Sequence, residues 1–91
     1  MTTTLLAIDD SKTMRKVLEI TFSGDTYQVL VADSAQQALE KLRADKPTLA
    51  LIDANLGSAG GGYDLCQQIM REAPRLGVLI LSSRQQPYVR V

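Results

Sequence analysis

Short apolar runs alternate along this chain with longer segments of helical spacing. Four runs predict β-strands, at Leu5–Asp9, Gln28–Ala32, Leu49–Asp53 and Val78–Ser82. Three of them are almost continuously apolar, as expected of parallel strands that are buried on both faces. The alternation predicts the order β-α-β-α-β-α-β, and therefore an α/β fold with a doubly wound parallel sheet and helices on both sides.

The segments between the runs carry helix signals. The first helix begins near Ser11, and a capping box of Ser34 and Gln37 starts the second. The third helix runs from about Tyr63 to Ala73. The apolar stripes are, in chain order, Met14, Val17, Leu18 and Phe22, then Ala35, Ala38, Leu39 and Leu42, and then Leu65, Ile69 and Met70. We predict that these stripes pack against the sheet as core.

The composition indicates one small globular domain over residues 1–91. Of the 91 residues, 45% are hydrophobic and 22% are charged, and the net charge is zero. The chain therefore has no broad positive surface for nucleic acid or an anionic membrane. The single cysteine, Cys66, cannot form an internal disulfide, and no histidine is present to build a zinc site. The chain shows no membrane span and no secretory signal, so we expect a cytoplasmic protein.

Acidic residues stand where the first and third apolar runs end. Asp9 and Asp10 close the first run, and Asp53 closes the third. The carboxyl ends of parallel strands lie at one edge of a sheet, where α/β proteins bind their ligands, so we expect these carboxylates to converge. Like charges this close repel one another, and a hard cation that prefers oxygen ligands relieves the repulsion. The sequence therefore predicts a Mg²⁺ site.

Ser82 ends the fourth run and belongs to the same predicted edge. A simpler interpretation exists for single residues, because Asp10 or Ser11 alone could act as the N-cap of the first helix. The coincidence of three acids and a hydroxyl, each at the end of an apolar run, favours a binding site over independent caps.

With these motifs the chain resembles the response-regulator receiver domains of two-component signalling, which have the flavodoxin-like (CheY-like) α/β fold. The resemblance covers the whole chain and rests on three motifs: Ile8-Asp9-Asp10-Ser11-Lys12-Thr13-Met14-Arg15, Leu51-Ile52-Asp53 and Leu79-Ile80-Leu81-Ser82-Ser83. It is greatest for the single-domain members that act in chemotaxis and twitching motility.

The resemblance implies a role for each site residue. Asp53 would accept a phosphoryl group from a histidine kinase or phosphotransfer protein, as a carboxylate nucleophile that needs no activating base. Asp10, Asp53 and the backbone carbonyl of Asn55 would bind Mg²⁺ directly, while Asp9 would assist through water. Ser82 would hydrogen-bond a phosphoryl oxygen and move toward it. Such a domain is a phosphoacceptor rather than an enzyme, and it acts on a downstream protein target.

Two features depart from the family pattern. The loop from Ala54 to Tyr63 carries four glycines in place of the usual proline and methionine-aspartate-glycine turn, and it is one residue longer. A phosphate-cradling loop would need a following lysine, so a flexible turn is the simpler interpretation. The chain also ends at Val91, and no lysine follows Lys46 to match the family's lysine at the end of a fifth strand. We therefore expect a receiver that lacks its last helix, strand and helix.

Such a truncation would leave the fourth strand as an unprotected apolar edge. We expect a homodimer through this edge, or through exchange of the carboxyl-terminal segment, or else a fragment of a longer protein. Two other functions stay open, namely a pseudo-receiver that binds proteins without phosphoryl transfer and an α/β phosphohydrolase. The phosphohydrolase is disfavoured because Asn55 stands where such an enzyme would carry a second aspartate.

Overall fold

A computed structural model describes residues 3–24, 26–57, 60–81 and 88–90 of the chain. The strands are β1 (Thr3–Ile8), β2 (Tyr27–Ala32), β3 (Leu49–Asp53), β4 (Gly77–Leu81) and β5 (Tyr88–Arg90). The helices are α1 (Lys12–Thr21), α2 (Ala35–Asp45) and α3 (Gly61–Glu72). Strand and helix alternate as far as β4, as the apolar pattern predicts.

The strands form one sheet in the order β2-β1-β3-β4-β5. β1 pairs in parallel with β2 and with β3, and β3 pairs in parallel with β4. The predicted doubly wound parallel sheet is therefore confirmed. The strand order reverses at β1 and β3, because the chain first moves outward to β2 and then returns across β1. Such a reversal opens a crevice beyond the carboxyl ends of the two strands.

β5 is the part of the sheet that the apolar pattern did not predict. It lies antiparallel to β4, with Val78 opposite Arg90 and Ile80 opposite Tyr88. The prediction that β4 is an unprotected edge is therefore wrong. Only residues 82–87 separate the two strands. A parallel crossover needs about a dozen residues or more, so this connection can return the chain only antiparallel to β4.

Strand side chains point alternately into two apolar layers of unequal size. The larger layer joins the sheet to α2 and α3 through Leu6, Ile8, Ala50, Ile52, Val78, Ile80, Leu39, Leu42, Leu65 and Ile69. The buried residues of the smaller layer, which joins the sheet to α1, are Leu5, Ala7, Leu18 and Leu51. Cys66 is buried in the larger layer. β1 and β3 are buried on both faces, which explains their continuous apolar runs.

α1 buries less of its apolar stripe than the pattern predicts. Leu18 is 7% exposed, but Met14 and Val17 are 40% and 45% exposed. The prediction that these two side chains are core is therefore wrong. In the described part of the chain α1 is the one helix on this face, so only side chains that point directly at the sheet are covered. Leu79 and Leu81 of β4 are half-buried on the same face.

Hydrogen bonds at the helix starts match the sequence signals. Ser11 Oγ accepts from the N–H of Met14 at 3.3 Å, and Ser34 Oγ accepts from the N–H of Gln37 at 3.2 Å. The side-chain oxygen of Gln37 accepts from the N–H of Asp33 at 2.8 Å, one residue before the donor of a standard capping box. Both serines are therefore N-caps, and Ser11 holds the start of α1 directly after the acidic pair.

The start of α3 touches the end of β3 through a glycine. The N–H of Gly62 donates to the carbonyl oxygen of Ala54 at 3.0 Å. A Cβ atom on Gly62 would lie 2.0 Å from the carbonyl oxygen of Asp53 and 2.8 Å from Cα of Ala54. These are backbone atoms, so they could give way only if the strand end or the helix moved.

We expect Gly62→Ala to lower the free energy of unfolding by about 2–3 kcal/mol, because overpacking outweighs the roughly 1 kcal/mol that alanine gains in a helix. Urea unfolding followed by circular dichroism measures the change. Gly77→Ala is the matched control, because its Cβ would meet the end of the Leu49 side chain at 3.2 Å and the carbonyl oxygen of Thr48 only at 4.0 Å, an ordinary van der Waals contact. Equal losses in the two variants would contradict the close contact at Gly62.

Candidate functional site

The carboxyl ends of β1 and β3 bring three carboxylates together. Asp9 and Asp10 follow the last residue of β1, and Asp53 is the last residue of β3. Ile8 pairs with Ile52, so Asp9 and Asp53 stand beside each other at the ends of neighbouring strands. One carboxylate oxygen from each of the three acids lies within 4.8 Å of the other two. The acids therefore converge as the sequence predicts.

Asp9 is the buried member of the cluster, with 6% of its surface exposed. Its N–H donates to the carbonyl oxygen of Ala32 at 3.0 Å, which extends the pairing of β1 with β2. Its Oδ1 accepts from the N–H of Ser11 at 2.8 Å. Arg15 donates through Nη1 to the carbonyl oxygen of Asp9, also at 2.8 Å. Contacts from β2 and α1 thus hold the backbone of Asp9, and the N-cap residue Ser11 holds its side chain.

Burial raises the pKa of the Asp9 carboxyl above its ordinary value of 3.8, and the negative charges of Asp53 and Asp10 raise it further. The hydrogen bond from Ser11 and the charge of Arg15 lower this pKa, but they do not cancel the increase. The net direction means that negative charge on Asp9 is unfavourable in this environment. A cation among the three carboxylates would offset that cost.

Asp53 is half-buried and is held by the residues that follow it. Its Oδ1 accepts from the N–H of Asn55 at 3.1 Å. The N–H of Ala54 donates to the carbonyl oxygen of Leu81 at 2.8 Å, so β3 stays bonded to β4 for one residue beyond the strand. The Asp53 carboxylate is therefore fixed at its base and open to solvent on one side.

Asp10 is exposed, and it is bonded to a residue far away in sequence. Its Oδ2 accepts from the N–H of Gly57 at 2.9 Å. This bond joins the loop after β1 to the loop after β3. Sequence reasoning missed the contact, because a backbone N–H carries no side-chain signal and the glycines of this loop indicated only a flexible turn.

The acids line a pocket of about 370 Å³ at this edge of the sheet. Its lining residues are Asp9, Asp10, Ser11, Met14, Asp53, Asn55 and Leu81. Each carboxylate accepts one backbone N–H and keeps further lone pairs for other ligands. A set of carboxylate oxygens suits a hard divalent cation better than a soft metal. The residues present therefore fit a cation of the Mg²⁺ type.

The structure places four of the predicted site residues at this pocket, namely Asp9, Asp10, Asp53 and Asn55. Ser82 lies outside the described residues, so its role stays a prediction. Arg15 belongs to the first motif, but sequence analysis gave it no role. The signal for this contact was the position of Arg15, six residues after Asp9. The first turn of α1 brings the Arg15 side chain back to the carbonyl oxygen of Asp9.

Comparison with known proteins identifies one family. The sequence model of the family described as the response regulator receiver domain matches residues 5–91. The transcriptional regulatory protein KdpE of Staphylococcus aureus is 31% identical over 87 residues, which are 94% of this chain and 36% of KdpE. The response regulator MprA of Mycobacterium leprae is 29% identical over 87 residues, with 96% and 38% covered. The chain thus spans little more than a third of the length of these curated relatives.

Solved structures show the same likeness. A response regulator from Thermotoga maritima superimposes with a TM-score of 0.84 and 26% identity, over 94% of this chain and 71% of that one. NtrX from Brucella abortus superimposes with a TM-score of 0.82 and 28% identity, over 90% of this chain and 19% of NtrX.

The names of these relatives do not support the leaning toward chemotaxis or motility, because they describe transcriptional and response regulators. Within the described residues, no helix combines the length and the apolar character needed to cross a membrane. The family match, the parallel sheet and the paired and single aspartates at its carboxyl edge all agree. The chain belongs to the response-regulator receiver domains of two-component signalling.

Proposed function

We propose that this chain accepts a phosphoryl group on Asp53, with Mg²⁺ bound among the three acids. The observation that carries the proposal is the position of Asp53, half-buried at the pocket, with a carboxylate oxygen within 4.8 Å of those of Asp9 and Asp10. The donor is the phosphohistidine of a histidine kinase or phosphotransfer protein. The modified domain then acts on a downstream protein target.

The transfer requires positioning and charge neutralisation more than covalent help from the protein. A carboxylate oxygen of Asp53 attacks the phosphorus atom, a P–O bond forms and the P–N bond to the donor histidine breaks. The electron pair of the broken bond stays on the imidazole nitrogen. The product is an acyl phosphate, and no base is needed because a carboxylate nucleophile carries no proton to remove.

Asp10, Asp53 and the backbone carbonyl of Asn55 are the proposed direct ligands of Mg²⁺. Asp9 is proposed to act through water, which agrees with its burial and with the bond that Ser11 already makes to its Oδ1. When bound, Mg²⁺ supplies positive charge that stabilises the transferring phosphoryl group. The contribution of the chain is to present these oxygens from two loops at one edge of the sheet.

Ser82 is proposed to donate its hydroxyl to a phosphoryl oxygen and to move toward the phosphoryl group after transfer. Two observations on the preceding residue support this role. Leu81 pairs with Asp53 across β3 and β4, and it lines the pocket.

A pseudo-receiver that binds proteins without phosphoryl transfer is the second candidate. The sequence favours it through the loop after Asp53, which carries glycines instead of the usual proline. This argument is weakened because Gly57 of that loop donates its N–H to Asp10 and so takes part in the acidic site. A measurement of the response to Mg²⁺ and to a phosphoryl mimic separates the two functions.

We expect millimolar Mg²⁺ to shift the amide NMR signals of residues around Asp10 and Asp53, and beryllofluoride to shift them again. Asp53→Asn should abolish the second response, because it removes the oxygen that binds the mimic. A protein with no response to Mg²⁺ would favour the pseudo-receiver.

Asp10→Ala should slow phosphoryl transfer at least about tenfold, because it removes a direct ligand of the cation. Asp9→Ala should have the smaller effect, since Asp9 acts through water. Single-turnover transfer from a phosphorylated donor, at saturating and limiting Mg²⁺, measures both rates. Equal losses would contradict the separate roles of the two acids.

Asp9→Asn should stabilise the metal-free protein at pH 7. The raised pKa of Asp9 means that its protonated form adds stability below pH 3.8, and this contribution is lost as pH rises through the folded-state pKa. Asparagine keeps the acceptor for Ser11 and removes the charge. Urea unfolding in EDTA should therefore give the variant a higher free energy of unfolding than the wild type at pH 7, and this difference should disappear in acid. Mg²⁺ should stabilise the wild type more than the variant. A loss of stability at pH 7 in EDTA would be the contrary result.

A further inference from the structure

We infer that Gly57 is a positioning residue for the Asp10 carboxylate. The inference rests on the proposed function, because that function assigns Asp10 to the cation site. It begins from the hydrogen bond between the N–H of Gly57 and Oδ2 of Asp10, which is 2.9 Å long and joins residues 47 positions apart.

Asp10 differs from the other two acids in how it is held. Asp9 accepts from Ser11 and Asp53 accepts from Asn55, so each of these donors lies two residues further along the same loop. Asp10 takes its donor from the loop after β3. The position of its carboxylate therefore depends on the conformation of a second loop.

Repulsion among the acids makes this donor important. Asp10 is exposed, so its side chain could rotate into solvent at low cost, and the charges of Asp9 and Asp53 favour that rotation. The N–H of Gly57 attracts Oδ2 and leaves Oδ1 available to a cation. Gly57 thus keeps Asp10 in the cluster before a cation binds, which lowers the cost of ordering the site.

The backbone conformation of the loop directs this N–H toward Asp10. Gly57 has a φ of +73°, a region that glycine enters freely, and the preceding Leu56 is 6% exposed in the larger apolar layer. Asparagine tolerates such a φ and keeps the N–H. Proline has no N–H, and its φ is fixed near −65°. Gly57→Asn therefore keeps the N–H donor to Asp10, whereas Gly57→Pro removes it.

The test is the Mg²⁺ affinity of Gly57→Pro and Gly57→Asn, measured by amide NMR titration. We expect Gly57→Pro to raise Kd about tenfold, which is typical for loss of a group that orients a metal ligand, and Gly57→Asn to stay within about twofold of wild type. Gly60→Pro is the matched control. Gly60 has a φ of +81° in the same loop, and it is not the donor to Asp10. We expect the Kd of Gly60→Pro for Mg²⁺ to stay near that of the wild type, even if urea unfolding shows that Gly60→Pro and Gly57→Pro lose similar stability.

A folded Gly57→Pro that binds Mg²⁺ as tightly as wild type would overturn the inference, and so would equal losses of affinity in the two proline variants. If a proline variant does not fold, Asp10→Ala decides the question through the amide signal of Gly57. Loss of the acceptor should move that signal upfield and speed its hydrogen exchange, and an unchanged signal would overturn the inference. A wild-type protein whose amide signals do not respond to Mg²⁺ would instead contradict the proposed function. Comparison of the Gly57 amide signal between the wild type and Asp10→Ala would still test the hydrogen bond.

Discussion

The convergence of three carboxylates is the constraint on which the carboxyl edge of this sheet depends. The parallel pairing of β1 and β3 makes the approach of Asp9 and Asp53 unavoidable, because it sets the two strand ends side by side. Backbone N–H groups from Ser11, Asn55 and Gly57 each bond one acid and partly compensate the charge. Burial, with a smaller contribution from the charges of Asp53 and Asp10, still raises the pKa of Asp9 despite the bond from Ser11. The site therefore favours any ligand that brings positive charge.

The scaffold behind the site is asymmetric. α2 and α3 cover one face of the sheet with a large continuous apolar layer, whereas α1 covers the other face with Leu18 as its buried side chain. Close-packed interiors resist deformation, so the loop after β3, anchored in the larger layer by Ala54 and Leu56, has a firm base. The loop after β1 is held instead by hydrogen bonds, from Arg15 to Asp9 and from Gly57 to Asp10. The two halves of the site are thus stabilised by different forces.

Apolar periodicity was sufficient to predict the parallel sheet, the three helices and the convergence of the acids. These features depend on strand ends and on the side-chain period, which can be read along the chain. Periodicity identified the stripe of α1 but not how much of it the sheet covers, so Met14 and Val17 were assigned wrongly to the core. β5 escaped prediction because Tyr88-Val89-Arg90 is too short to show a period and acquires its pairing from β4.

At the site, features that depend on side chains could be predicted from the sequence, and features that depend on backbone groups could not. The paired and single aspartates were recognisable from their places after apolar runs. The contact of Gly57 with Asp10 was not, because the donor is a backbone group whose direction depends on one dihedral angle. The contact of Gly62 with the end of β3 was equally hidden, since its significance lies in the absence of a side chain.

That contact at Gly62 also makes the strand end and the helix a single mechanical unit. No flexible side chain lies between the Asp53 carbonyl and the Gly62 Cα to absorb a displacement. A displacement of the Asp53 main chain toward Gly62 would therefore press directly on the first turn of α3. If Asp53 has the proposed role, a change at its carboxylate that moves its main chain would therefore reach α3 directly, without a change of side-chain rotamer between them.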